Sequence, residues 1–203
     1  MSVQSLQEGL DLVDAAGAAA LAAAGPEEAM RAIASRIHAL LGDRAAHERP
    51  GALKPGERQF FVAGTFMVTP DKAWHMLVGS VNFPPEQERL LVPIDGGHPG
   101  WVYENRSKLL LRNTDEHGEF RQYLKTSRMG SAIFAPMFWR GEFFGQLIMA
   151  AQARFTMDEA DLRLICACGQ VAAANWIAHG GPAWLAANYP PRNAFKVTQA
   201  GLS

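Results

Sequence analysis

The chain has 203 residues, of which 48% are hydrophobic, and its 19 basic and 20 acidic side chains give a formal net charge of -1. A chain of this length is expected to form one domain with a sizeable core, and its apolar content excludes intrinsic disorder. The balanced charge disfavours nucleic acid as the main partner. Two cysteines are too few for a disulfide framework, so we expect a cytoplasmic protein.

Two apolar stretches have about the length of a targeting or membrane segment, and their charges argue against both roles. No Lys or Arg precedes residues 10–24, although a secretory signal requires a basic start. Residues 131–150 contain Pro136 and carry Arg140 and Glu142 at their centre. A charge at the bilayer centre costs about 3 kcal/mol. We therefore expect no membrane partner.

The N-terminal part of the chain predicts two helices. Residues 1–24 carry a thin apolar stripe among many alanines, and Gly25 is expected to end that helix. Pro26 and the two glutamates after it open the second helix, because proline is tolerated in the first turn and acids suit the positive helix end. Residues 43–58, rich in Pro, Gly and mixed charge, indicate a solvated connector.

The middle of the chain predicts short strands. Residues 59–68 and 73–81 flank a Thr-Pro-Asp-Lys turn and form a predicted β-hairpin. Brief strands are predicted at residues 90–93 and 109–111, and between them residues 101–105 are expected to form one or two helical turns.

A polar segment and a second hairpin follow. Residues 112–128 are polar, with a helical turn expected around Phe120, Tyr123 and Leu124. Residues 131–139 and 142–150 flank Arg140-Gly141, and this glycine can supply the positive φ that a tight hairpin needs.

A long apolar helix is predicted near the C-terminus. Thr156 and Glu159 have the spacing of a capping box, in which each side chain satisfies a free backbone amide of the other residue. The helix is expected to run to about His179 and is apolar on all sides, so other elements must cover it on more than one side. Residues 180–203 contain three prolines and are expected to form an irregular tail.

The order of these elements, together with five short sequence pieces, resembles the GAF domain, a small-molecule-sensing relative of the PAS fold. The pieces are Leu91-Val92-Pro93-Ile94 before Gly97-His98-Pro99-Gly100-Trp101-Val102, Leu109-Leu110-Leu111 through Asp115, Arg128 to Met137, Gly141 to Leu147, and Phe155 to Leu162. The resemblance covers residues 27–179 and follows an N-terminal helix at residues 1–26.

This resemblance implies an α+β fold with a central antiparallel sheet. It places the N- and C-terminal helices on one face of the sheet and the loops and helices of a ligand pocket on the other. GAF domains often dimerise through their terminal helices, so it also implies a homodimer. By position in the family, the ligand-binding residues would be Asn82, His98, Pro99, Trp101, Phe120, Tyr123, Arg128, Met129, Ser131 and Phe134.

Catalytic and metal chemistry find little support in the sequence. Free methionine sulfoxide reductase, an enzymatic branch of the family, needs cysteine in the pocket, whereas Cys166 and Cys168 fall on the last helix. The histidines lack metal-ligand spacing, although a fold can still gather His75, His98 and His117. The bilin-attaching Cys-His pair and the cyclic-nucleotide signature of other members are missing. We predict no catalytic residue and no metal, and no cofactor can be named.

The expected function is therefore that of a small-molecule sensor acting in signal transduction through a partner protein, because the predicted elements leave no room for an output domain. Trp101 and Phe120 can stack an aromatic ring, and the free amides of residues 98–101, with Arg128, suit an anion. The expected ligand is aromatic or anionic. Two alternatives remain open: an enzyme or enzyme accessory subunit that uses the same pocket, and a ligand-free dimerisation module whose aromatics fill a closed core.

Overall fold

The structure is a computed structural model that describes residues 5–118, 121–124 and 128–197. Its helices are α1 (Leu6–Leu21), α2 (Pro26–Leu40), α3 (Gly97–Asn105), α4 (Glu159–Ala178) and α5 (Gly181–Asn188). Its strands are β1 (Phe61–Val68), β2 (Trp74–Val81), β3 (Leu90–Pro93), β4 (Leu109–Leu111), β5 (Ser131–Trp139), β6 (Glu142–Ala151) and β7 (Phe195–Lys196).

The described strands form one sheet in the order β4-β5-β6-β1-β2-β3-β7. Both predicted hairpins, β1–β2 and β5–β6, are present, and β1 also pairs with β6. Neighbouring strands are antiparallel except β3 and β7, which run parallel. The expected α+β fold with a central, mainly antiparallel sheet is confirmed.

The sheet separates two hydrophobic clusters, because successive side chains of a strand point to opposite faces. Phe61 and Ala63 of β1 belong to the cluster beneath α1, α2, α4 and α5, which we call the helix face. Val62 and Phe66 belong to the second cluster, which includes Val102 of α3 and which we call the cavity face. The terminal helices therefore cover one face of the sheet and α3 with its neighbouring loops covers the other, as expected.

The predicted all-round cover of α4 is also present. One side of this helix packs on β5 and β6, and α1, α2 and α5 pack against it from other directions. Its exposed residues form a narrow stripe that includes Arg163, Ala167 and Gln170. No helix in the described part of the chain has the length and apolar content needed to cross a membrane.

The starts of two helices differ from the prediction. Helix α3 begins at Gly97, four residues before the predicted turn, since Pro99 is compatible with the first turn of a helix. Helix α4 is capped by Asp158, whose carboxylate accepts hydrogen bonds from two amides of the first turn, including that of Asp161. The Thr156 hydroxyl instead donates to the Ala153 carbonyl (2.8 Å).

The C-terminal region is more regular than predicted. The prediction of an irregular tail for residues 180–203 is wrong for its described part, which contains α5 and β7. Pro182 lies in the first turn of α5, where a missing N–H costs nothing. Trp184 of α5 packs edge-to-face on Trp176 of α4, with ring centroids 5.9 Å apart. In the polar segment, a helical turn lies at Thr114–Glu116. The turn predicted around Phe120, Tyr123 and Leu124 falls partly outside the described residues.

Candidate functional site

A cavity of about 60 Å³ lies on the cavity face, between the sheet and the segment that leads into β5. Most of its walls are apolar side chains. They come from the four strands β1, β3, β5 and β6, the start of α3 and the loops on either side: Val62, Phe66, Phe83, Leu90, His98, Pro99, Arg121, Gln122, Tyr123, Leu124, Met129, Ala132, Phe134, Ile148 and Ala150.

Small side chains in adjacent strands create this space. Ala132 of β5 lies opposite Ala150 of β6, and Ala150 lies opposite Val62 of β1. All three line the cavity. Directly opposed residues on one face of a sheet are close neighbours, so two adjacent alanines leave a hollow that leucine or phenylalanine would fill. Phe66 and Phe134 form walls beside it.

Tyr123 lines the cavity, and its buried hydroxyl lies at the start of α3. Its Oη has no hydrogen-bond partner among the described residues, and burial raises the pKa of Tyr123 to about 12. The hydroxyl lies against Gly97 at the start of α3, where an added Cβ would come within 2.1 Å of it. Gly97 also has a φ of +49°, so both its space and its backbone conformation require glycine.

His98 is held in the neutral form. Its side chain is buried, and burial, followed by the nearby His117 and Arg128, lowers the pKa of His98 to about 4. The rings of His98 and His117 meet edge-to-face at 5.8 Å. The next residue, Pro99, is positioned through its carbonyl, which accepts a hydrogen bond of 3.0 Å from the buried amide of Gln146 on β6.

A comparison with protein families shows to which family this chain belongs. The family model of the GAF domain matches residues 25–176. The chain belongs to the GAF domain family. A comparison with curated proteins gives no match.

GAF domains of phosphoenolpyruvate-protein phosphotransferases and a free methionine-R-sulfoxide reductase share the fold of this chain. The GAF domain of the Acinetobacter phosphoenolpyruvate-protein phosphotransferase has a TM-score of 0.68 and 16% identity, covering 88% of this chain and 96% of that chain. The corresponding Coxiella burnetii domain has a TM-score of 0.66 and 16% identity, covering 87% and 96%. Free methionine-R-sulfoxide reductase from Neisseria meningitidis, in complex with its substrate, has a TM-score of 0.67 and 14% identity, covering 89% and 96%. At such identities the likeness shows the fold alone.

Five of the residues predicted for the GAF ligand pocket line the cavity. They are His98, Pro99, Tyr123, Met129 and Phe134. They come from the start of α3, the segment before β5 and β5 itself. All but Tyr123 lie within the sequence pieces that resemble the family. Their role in ligand binding remains a prediction.

Three other predicted residues lie outside the cavity lining. Asn82 has a φ of +65° and donates a hydrogen bond of 2.8 Å to the Phe61 carbonyl. Trp101 lies on α3 with 39% of its surface exposed. Ser131 points to the helix face, where its hydroxyl donates to the Leu111 carbonyl (3.0 Å) and accepts from the Met157 amide (3.2 Å).

The last two predicted residues are Arg128 and Phe120. Arg128 does not line the cavity; its guanidinium donates to the Thr114 carbonyl at 3.1 Å and lies 3.6 Å from an Asp115 carboxylate oxygen. It therefore helps to fix the polar loop. Phe120 lies outside the described residues.

Several lining residues on the strands are not among those predicted from the sequence. Val62, Phe66, Ala132 and Ile148 form the floor of the cavity. The alternation of strand side chains contained a partial signal, because Ala132 lies two positions before the predicted Phe134 and must share its face. The residues of β1 and β6 require the strand register, which a single sequence does not give.

The histidines do not form a metal centre. Within residues 5–118, 121–124 and 128–197, no three His, Cys, Asp or Glu side chains are grouped so that they could hold a metal ion. His75 is fully buried; its ring meets Tyr103 at 5.8 Å, and its Nε2 lies 3.1 Å from the Ile94 carbonyl oxygen.

Both cysteines of the chain are remote from the cavity lining in the fold. Cys166 and Cys168 lie on α4 and belong to, or pack against, the cluster of the helix face. Burial raises the pKa of Cys166 and raises that of Cys168 to about 12. Because the thiolate is the reactive form of cysteine, both thiols are poor nucleophiles at neutral pH.

Proposed function

We propose that this chain is a cytoplasmic GAF domain that binds a small molecule in its cavity. It passes the bound state to a partner protein in signal transduction and has no catalytic output of its own. The observation that carries the proposal is the cavity itself, since its apolar walls and few polar groups have the character of a ligand site. The two free thiols fit a reducing compartment.

The cavity argues against the ligand-free dimerisation module. In a closed core, large side chains fill the space between the sheet and the covering loop, because protein interiors are close-packed. Here Ala132 and Ala150 lie side by side at the floor.

We propose further that two copies of the chain associate through their terminal helices. Helix α1 exposes three leucines, Leu6, Leu10 and Leu21, with exposed fractions of 81%, 57% and 68%. Leu6 and Leu10 are one helical turn apart and therefore lie on the same side of α1. A second copy of this chain would cover them.

An enzyme remains the second candidate, because the fold is shared with a free methionine-R-sulfoxide reductase that was solved with its substrate. The cysteines weigh against it. Both lie on α4 at the helix face, and both have raised pKa values. Turnover of free methionine sulfoxide by the wild type, retained after both cysteines are replaced, would support an enzyme that works without thiols.

Native mass spectrometry of the freshly purified protein tests the sensor proposal, because it reports bound compounds and oligomeric state together. We expect an added small mass that disappears on denaturation. Ala150→Leu fills the cavity floor and should remove that mass, whereas the matched variant Ala167→Leu, on the exposed stripe of α4, should retain it. The proposal is wrong if the wild type carries no compound and a broad metabolite panel raises its melting temperature no more than that of Ala150→Leu.

A further inference from the structure

We infer that the outer edge of β4, with Lys108 and Arg112 at its two ends, is a docking edge for an extended, acidic segment of a partner protein. The segment would pair with β4 as an additional strand of the sheet. This inference rests on the proposed function for the existence of a partner, and it assigns the surface to which that partner binds.

Strand β4 lies at one end of the sheet. In the strand order of the described residues it pairs with β5 alone. An edge strand presents unpaired N–H and C=O groups on its outer side. Leu109 and Leu110 are partly exposed, and Lys108 and Arg112 are exposed. The edge ends at Arg112, whose carbonyl accepts a hydrogen bond of 2.6 Å from the Phe155 amide. Another chain can therefore reach the backbone of this strand.

The chain around β4 is basic. Residues 106–112 contain three basic side chains and no acidic one. Arg106 donates to the Gly141 carbonyl. Lys108 and Arg112 have no acidic partner among the residues that the structure describes. Two cations at the ends of the docking edge are therefore available to pair with carboxylates of another chain.

Helix α4 adds a further positive charge beside this edge. It packs against β4, and Lys108 lies near Cys166, where its charge partly offsets the rise in pKa that burial causes. Arg163 is exposed and precedes Cys166 by three residues, so it lies on the same side of α4. Together these cations create a positive potential that attracts acidic side chains.

The same charges disfavour a second copy of β4 as the occupant. In antiparallel pairing centred on Leu110, Lys108 of one copy would lie opposite Arg112 of the other. Like charges directly opposite each other in a sheet are destabilising, and exposed cations on an edge strand commonly prevent self-association. They do not repel an acidic strand, so they select the partner by charge.

The pairing of β4 with β5 connects the docking edge with the cavity. Leu109 lies opposite Phe134, and Leu111 lies opposite Ala132. Both of these β5 residues line the cavity. Because closely packed elements transmit strain, a ligand that shifts β5 would also shift β4. A partner strand on the docking edge would therefore respond to the state of the cavity.

Three short fluorescent peptides, titrated with the full chain and followed by anisotropy, test the docking edge. The first alternates glutamate and valine, and the second alternates lysine and valine. The third is the first peptide with every amide N-methylated, so that it cannot donate hydrogen bonds to β4. We expect the acidic peptide to bind, its binding to weaken as salt is added, and the other two peptides not to bind. The methylated peptide separates strand pairing from attraction by charge alone.

Two double variants locate the binding. Lys108→Glu with Arg112→Glu should weaken binding of the acidic peptide by about tenfold or more and should allow the lysine peptide to bind. The matched control, Arg36→Glu with Lys72→Glu, changes exposed cations on α2 and in the β1–β2 turn and should leave binding unchanged. Circular dichroism checks that both variants are folded.

Equal binding of the methylated and unmethylated acidic peptides, or equal weakening by the two double variants, would overturn the inference. A wild-type dimer that dissociates in Lys108→Glu with Arg112→Glu would also overturn it, because a second copy would then occupy the edge. If the acidic peptide does not bind at millimolar protein concentrations, the inference fails, and a compound found by native mass spectrometry still supports the sensor proposal. If the peptide binds and no compound is found, the docking edge stands and the sensor proposal fails.

Discussion

Arg154 is a buried cation that ties three loop segments together. It is 1% exposed. Its Nε donates to Asp115 at 3.0 Å, and its Nη2 donates to Glu57 at 3.3 Å. Lys54 also contacts Asp115, at 2.8 Å. The guanidinium thereby joins the connector after α2, the turn before the cavity segment, and the chain leaving β6.

Arg154→Met should lower the free energy of unfolding by about 3–5 kcal/mol, because it breaks charge-assisted hydrogen bonds to Glu57 and to Asp115, each worth about 1.5–3 kcal/mol. Urea unfolding followed by circular dichroism measures this loss. Arg163→Met, on the exposed stripe of α4, is the matched control and should change stability by less than about 0.5 kcal/mol. Equal effects of the two variants would contradict the role given to the buried guanidinium.

The same cluster makes stability depend on acid pH. Burial acts to raise the pKa of Glu57 and of Asp115, but hydrogen bonds with Arg154 and Lys54 outweigh it, so both values lie below the ordinary 4.5 and 3.8. A carboxyl with a lowered pKa in the folded state contributes stability above its unfolded pKa and loses it as pH falls through the folded value. The difference between wild type and Arg154→Met should therefore shrink as pH falls below about 4.5. Parallel stability curves from pH 7 to pH 3 would argue against this.

At the level of elements, the C-terminal tail closes the edge of the sheet. The Val197 amide donates to the Leu91 carbonyl at 3.0 Å, and its side chain is 4% exposed within the cluster of the cavity face. Phe195 of β7 lies opposite Leu90, a cavity residue. The tail thus runs from α5 on the helix face to a strand that contributes to the cavity.

Val197→Ala should destabilise the fold by about 2 kcal/mol, because it removes buried methyl groups and leaves a small void. Lys196→Ala is a suitable control, since Lys196 is exposed and its charge lies 5.4 Å from the Trp74 ring, a contact worth about 1 kcal/mol at most. Urea midpoints measure both changes. A neutral Val197→Ala would mean that the tail does not dock against β3.

The sequence predicted the elements whose signal is local and missed those fixed by distant contacts. The β1–β2 hairpin follows from alternation such as Trp74, Met76 and Val78 on either side of a turn. Strand β7 has two residues and pairs in parallel with β3, far away in the chain, so no local pattern marks it. Periodicity predicts long hairpins well and says little about a two-residue strand.

The cap of α4 shows how burial decides between equivalent local signals. Thr156 and Asp158 each have an acidic residue three positions later, so both have the spacing of a capping box. Thr156 is buried and its hydroxyl is engaged by the Ala153 carbonyl. Asp158 therefore caps the helix. The local sequence does not show which of the two residues is buried, so it could not predict this cap.

The candidate site was predictable where family motifs fix a position. His98 and Pro99 line the cavity and Trp101 does not. Helix α3 starts at Gly97, and each residue turns the helix by about 100°. Trp101, two positions after Pro99, is consequently rotated by roughly 200° from Pro99 around the helix axis and points away from the cavity. With a helix start predicted at residue 101, Pro99 lies outside the helix. The angle between Pro99 and Trp101 around the helix axis could therefore not be predicted.

At the scale of the whole molecule, the sheet connects the cavity with the terminal helices. Ala132 and Phe134 of β5 line the cavity, while Ala135 faces α4, where a Cβ added to Gly169 would lie 3.3 Å from its side chain. Because elements packed this closely cannot move independently, a ligand that shifts β5 would also shift α4 and its neighbour α1. A ligand changes the balance between two arrangements only through its different affinity for each.

The exposed leucines of α1 give the dimer proposal its test. A monomer would leave Leu6 and Leu10 in water, and fully burying a leucine is worth about 1.5–3 kcal/mol. We expect a dimer at micromolar concentration in light scattering, and a monomer after Leu6→Glu with Leu10→Glu. The unfolding free energy of the monomer should change little, because neither side chain contributes to the core. Leu40→Glu, on α2 with 44% exposure, should remain dimeric. A monomeric wild type contradicts the proposal, and loss of the dimer in Leu40→Glu alone would move the interface from α1 to α2.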